Sequence, residues 1–98
     1  MNRLAAWEAA KKPRTPFPTF APDFLIEIRS PGQRVKPLRE KMEEYIANGV
    51  KLGWLIDPVS RTVEIYRPSR APELLDQPQS IAGEGPVKGF VMDLDRIL

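Results

Sequence analysis

Glu27 sits inside an apolar run, Phe24-Leu25-Ile26-Glu27-Ile28-Arg29, with Asp23 at its entrance and Lys41 fourteen residues further on. A glutamate buried and unpaired in such a run costs several kcal/mol, so the fold must bring it a cation, a donor or a metal ion. Glu27 and Arg29 are two apart and share one face of an extended strand. Carboxylate, lysine and arginine together can serve metal-assisted phosphodiester cleavage: the acid ligates a divalent ion, and the cations orient water or meet charge developing on phosphate. The same three residues can also do no more than neutralise one another. Asp23 reads as a turn or strand-entry residue, Tyr45 and Trp54 as core, and Asp57 as the cap of an Asp-Pro turn.

Composition narrows the chemistry. The 98 residues contain no histidine and no cysteine, which excludes Ser-His-Asp and Cys-His catalysis, disulfides, and His- or Cys-ligated zinc within this sequence. Hydrolysis must then rest on carboxylates, lysine or arginine, and a metal must be a hard cation such as Mg²⁺ held by oxygen. A net charge of +2 hints only weakly at nucleic acid, because the distribution of charge decides. With no signal peptide and no long apolar run, the expected setting is the cytoplasm, away from membranes.

The elements that must position these groups follow from pattern. Residues 2 to 11, with Leu4 and Trp7 on one edge, suit a short helix that ends before Pro13. Lys12 to Phe20 carries three prolines and reads as an extended tether. The Lys11-Lys12-Pro13-Arg14 cluster suits a solvated surface, with nucleic-acid contact as the alternative. Phe24 to Arg29 is apolar on both faces, as in a covered central strand. A connector with Arg34 and Lys36 then leads to a helix near Pro37, clearest over 38 to 47.

On that helix Leu38, Met42, Tyr45 and Ile46 form one apolar arc, while Lys41 and Arg39 lie just beyond its two edges, placed to reach along a sheet from either flank. Asn48-Gly49 supplies the C-cap. Leu52 to Asp57 is a second interior strand, parallel to the first through a right-handed βαβ crossover. Thr62 to Arg67 alternates as a half-exposed antiparallel partner. The polar, Pro-rich stretch to Ile81 is expected to be irregular, and Phe90 to Leu94 to form a short terminal strand with Ile97-Leu98 covering core.

The run from Pro22 to Pro31, with Leu38-Arg39-Glu40-Lys41-Met42, Tyr45, Asn48-Gly49, Gly53-Trp54-Leu55-Ile56-Asp57-Pro58, Gly83-Glu84, Gly89-Phe90 and Asp93-Leu94, closely resembles the Uma-two type family of restriction endonucleases. The resemblance spans roughly residues 3 to 98 and implies the PD-(D/E)-x-K nuclease superfamily, whose members cut nucleic acid with Mg²⁺ between an early aspartate and a later strand acid. Glu27 matches the later acid. Arg29 stands where that pattern has lysine, and Lys41 matches a migrated helical lysine. The early aspartate, from an upstream Ser-Pro-Asp strand, has no counterpart; Asp23 lies on the Glu27 strand itself, about 13 Å away if extended.

The resulting expectation is an α/β, restriction-endonuclease-like core, a mixed sheet with a βαβ crossover helix, incomplete at its N-terminal side. Residues 1–20 are expected to form the helix and tether, and 21–98 a partial domain from an apparently N-terminally truncated chain. The expected catalytic residues are Glu27, Lys41 and Arg29, with Glu27 ligating Mg²⁺, DNA as substrate, and cleavage weak or absent without the upstream acid. The alternative is a non-catalytic module for DNA binding or self-association, with a homodimer formed through an exposed sheet edge.

Overall fold

The computed structural model describes residues 21–98; the expected N-terminal helix, the proline tether and the Lys11–Arg14 cluster lie outside them. Four strands form one mixed sheet in the order β1 (Phe24–Ile28), β2 (Leu52–Asp57), β3 (Thr62–Tyr66) and β4 (Glu73–Asp76). β1 and β2 are parallel; β2–β3 and β3–β4 are antiparallel. Helix α1 (Val35–Ala47) makes the crossover between the parallel pair.

Two apolar layers sandwich the sheet. On one face Leu25, Leu55 and Tyr66 pack against Leu38, Met42 and Tyr45 of α1 and against Val50. The helix lies so close that a Cβ built on Gly53 would stand 2.8 Å from the Met42 Cε. On the other face Leu52, Trp54, Ile56, Val63 and Ile65 pack beneath Ile81 and Leu94. Ile81 comes from β5 (Ser80–Ala82), which pairs with β6 (Val91–Asp93) as a separate antiparallel ribbon. Ile97 and Leu98 close against this second layer, as their apolar character requires. Trp54 is its centre, fully buried, with Phe24 edge-on at 4.8 Å between ring centroids.

α1 stops for a backbone reason. Val50 N–H donates to the Tyr45 carbonyl and Gly49 N–H to that of Ile46, the paired bonds of a Schellman cap, with Gly49 at φ +107°. A side chain there would be strained, whereas glycine is not. Val50 and Tyr45 share one apolar cluster, the contact that accompanies this cap.

Two expectations change. β3 is not half-exposed: Val63, Glu64, Ile65 and Tyr66 are all buried. The cause is β4, which the pattern missed because Glu73-Leu74-Leu75-Asp76 is short, flanked by proline-rich sequence and has only two apolar residues. Once β4 pairs with β3, the latter becomes interior. Among the described residues β1 and β4 are the outer strands of the four-stranded sheet, so within those residues β1 has a sheet neighbour on one side only, where its pattern reads as central, and Ile28 is half exposed. No helix among the described residues is long and apolar enough to cross a membrane.

Leu55 contacts the helix layer at the middle of the most buried strand. Leu55→Ala should therefore cost about 2–5 kcal/mol, whereas Val59→Ala, at an exposed turn position, should change stability by less than about 0.5 kcal/mol. Urea unfolding of the two variants checks the contrast.

Candidate active site

The strand pairing determines what meets what. Glu27 stands opposite Leu55 on β2, and Leu55 opposite Glu64 on β3. Both glutamates project on the face covered by α1, one on each side of the leucine. The helix answers each with a cation. Lys41 and Arg39 are two residues apart, about 200° around the axis, and so leave the apolar arc on opposite flanks.

Lys41 Nζ lies 3.4 Å from Glu27 Oε2, and the Tyr45 hydroxyl donates to the same oxygen at 3.1 Å. The Lys41 ammonium is also 5.9 Å from the centre of the Tyr45 ring, within reach of a cation–π attraction. Tyr45 is thus core by its ring and a site residue by its hydroxyl, the second part being invisible in an amphipathic pattern. Among the described residues no hydrogen bond reaches Glu27 Oε1.

Arg29 shares the strand face but serves another partner. Its Nη1 donates to Asp57 Oδ2 at 3.0 Å and its Nε to the Gln33 carbonyl at 2.8 Å, so its guanidinium ties the loop after β1 to the end of β2. No ion pair joins Arg29 to Glu27 among the described residues. Asp57 caps its turn as expected, Oδ1 accepting from the Val59 and Ser60 amides, and in addition holds Arg29. Asp23 enters the strand, its carbonyl accepting from Lys51 and Leu52, with its carboxylate 4.0 Å from Lys51.

Arg39 takes Glu64 by two nitrogens, Nη2 to Oε2 at 2.7 Å and Nε to Oε2 at 3.0 Å, and the Tyr66 hydroxyl donates to Oε1 at 2.8 Å. An open groove of about 320 Å³ runs past this cluster, lined by Arg39, Glu43, Glu64, Tyr66, Pro72 and Leu74. Both Glu64 oxygens are occupied, so this cluster is a staple between helix and sheet. The alternating pattern of β3 puts Glu64 on a solvent face, whereas pairing with β4 buries it. Its signal was there: an acid in step with Tyr66 on the face Arg39 could reach.

A divalent ion held by oxygen needs several converging donors. Among the described residues no three of Asp, Glu, His and Cys converge to hold one. Glu27 is paired with Lys41, and Asp57 is bound to Arg29. The described residues therefore do not complete a metal site.

Burial alone drives the Asp57 carboxyl upward, but the Ser60 amide and the Arg29 guanidinium together outweigh it and hold the group below its ordinary 3.8. A carboxyl depressed in the folded state stabilises fully above its unfolded value and loses that contribution as pH falls through the lower folded one. Unfolding free energy should accordingly drop as pH falls below about 4, and Asp57→Asn should flatten the drop while lowering stability at about pH 7; urea titrations across roughly pH 2.5–7 measure both.

Three comparisons bear on this arrangement. The family model Uma2, described as "Putative restriction endonuclease", matches residues 3–95. A crystal structure described as a putative nuclease belonging to DUF820, from Anabaena variabilis ATCC 29413, superposes with a TM-score of 0.60 at 35% identity, over 69% of this chain and 38% of that one. The chain thus spans well under half of that protein's length. No curated protein matches.

Proposed function

The chain belongs to the Uma2 restriction-endonuclease family, and from that premise we propose that it is a nuclease-like protein directed at DNA, with Glu27 and Lys41 as its reacting groups. The observation that carries this reading is their 3.4 Å pairing at the outer strand of the described sheet. Lys41 would meet charge on a phosphate or orient water, and Glu27 would be the ligand for the divalent ion on which such enzymes rely. Because no three of the described Asp, Glu, His or Cys residues converge to hold an ion, the proposed cleavage by these residues alone is weak or absent. Arg29, committed to Asp57, is assigned to bracing the loop that precedes α1.

The loop supports the DNA part of the proposal. Arg34 and Lys36 are exposed and flank the start of α1, whose first turn carries no acidic residue. Positive side chains at a helix N-terminus add to the dipole there and favour phosphate. The second reading, a DNA-binding or self-associating module without chemistry, is favoured by the same loop together with the neutralised Glu27–Lys41 pair. In it residues 21–98 act as a partial domain whose outer strand β1 offers an edge to a second copy.

Cleavage and binding separate the two. With Mg²⁺ and plasmid DNA, the nuclease reading expects slow nicking that Glu27→Gln and Lys41→Met each reduce at least about tenfold; nicking that survives Glu27→Gln rules out Glu27 as the working acid. The binding reading expects no nicking and unchanged affinity in Glu27→Gln. Both expect the Arg34→Glu, Lys36→Glu double variant to weaken binding and to reduce the slope of log K against log salt by about 2. Fluorescence anisotropy over a salt series measures this, and an unchanged slope counts against DNA contact by the loop.

A further inference from the structure

A carboxylate that ligates or activates anything must be presented by a defined rotamer, and glutamate has three rotatable bonds to immobilise. On an outer strand, packing alone does not do this. Glu27 is nevertheless held, and asymmetrically: Oε2 accepts the Tyr45 hydroxyl and lies 3.4 Å from the Lys41 ammonium, while among the described residues no hydrogen bond reaches Oε1. The Tyr45 ring is completely buried against Leu25, Leu38, Met42 and Leu55, so its hydroxyl is a donor mounted on an immobile support. Lys41, by contrast, is a flexible side chain one helical turn earlier, about one-third exposed.

We propose that Tyr45 is the positioning residue for Glu27: its hydroxyl anchors one carboxylate oxygen so that the other, Oε1, alone is presented at the sheet edge. The proposal rests on Glu27 being the working acid of the reading above, but the anchoring itself can be tested without any activity. The division of labour is physical. The tyrosine supplies geometry, because its ring is packed in the core; the lysine supplies charge. Glu27 then acts through a single oxygen, and a ligand approaching it need not displace the anchor.

The internal control lies on the same face. Tyr66 is also buried and also donates to a glutamate, but to Glu64 on β3, with β2 between it and the Glu27 strand. In protein labelled with ¹³C-glutamate, the Glu27 γ-methylene protons should be resolved from each other, with couplings of a single rotamer. In Tyr45→Phe, which keeps the ring, they should collapse toward averaged values, and in Tyr66→Phe they should stay as in the wild type. The bond can be read from its other end: in Glu27→Ala the Tyr45 hydroxyl proton should exchange with water at least ten times faster, with the Tyr66 hydroxyl unaffected. Where plasmid nicking is measurable, Tyr45→Phe should lower turnover ten- to a hundredfold with KM within twofold, and Tyr66→Phe should not. An unaveraged Glu27 in a folded Tyr45→Phe, or unchanged hydroxyl exchange in Glu27→Ala, overturns the proposal. Absence of nicking in the wild type instead removes the nuclease reading and leaves the two spectroscopic outcomes to judge Tyr45.

Discussion

Two carboxylates on the buried face of a small sheet are the constraint around which this domain is arranged. Glu27 and Glu64 flank Leu55, two strands and roughly 10 Å apart, and both lie under the margins of one helix. Neither can be left bare there, since an unpaired buried charge costs far more than most single contacts contribute. α1 answers with cations on its two flanks and an apolar arc between them. The pairings need one rotation and one height of the helix, so the charges specify how the helix sits while the apolar contacts supply most of the attraction.

The two clusters nevertheless differ in kind. Glu64 is saturated, its oxygens shared between a forked guanidinium and a phenol, and such geometry suits Arg for a permanent link. Glu27 has one oxygen that accepts a hydrogen bond and one that accepts none among the described residues, and its cation is a lysine, a point charge on a flexible stem. A saturated staple and a less fully bonded pair can thus arise from the same problem on the same face. Strand position separates them: β3 is enclosed between β2 and β4, whereas β1 has a neighbour on one side only among the described residues.

The frame of the fold was legible. The helix with its apolar arc, the Asn48-Gly49 stop, the parallel crossover and the buried β2 all follow from local rules, because periodicity and turn chemistry are properties of short segments. The partners within the site were only half legible. That Lys41 and Arg39 could reach the sheet was readable from the helix, and that Glu27 needed a partner was readable from its strand. That Arg29 would turn to Asp57 was not, since it depends on β1 and β2 ending side by side. β4 was missed, and with it the burial of β3 and the role of Glu64, because a four-residue strand with two leucines carries too little pattern to stand out.

By itself, the sequence determined the chemistry on offer: carboxylates, lysines and arginines without histidine or cysteine, and a glutamate in an apolar strand that had to be answered. It also determined the elements carrying them, since a helix or strand face is set by spacing along the chain. Only the tertiary structure decided the pairings, because those are distances between residues far apart in sequence, set by strand register and by the seating of the helix. It gave Arg29 to Asp57, Arg39 to Glu64, and Lys41 with the Tyr45 hydroxyl to Glu27. A tyrosine ring that reads as core and a hydroxyl that meets an acid are one side chain, and which part matters depends on what lies across the interface.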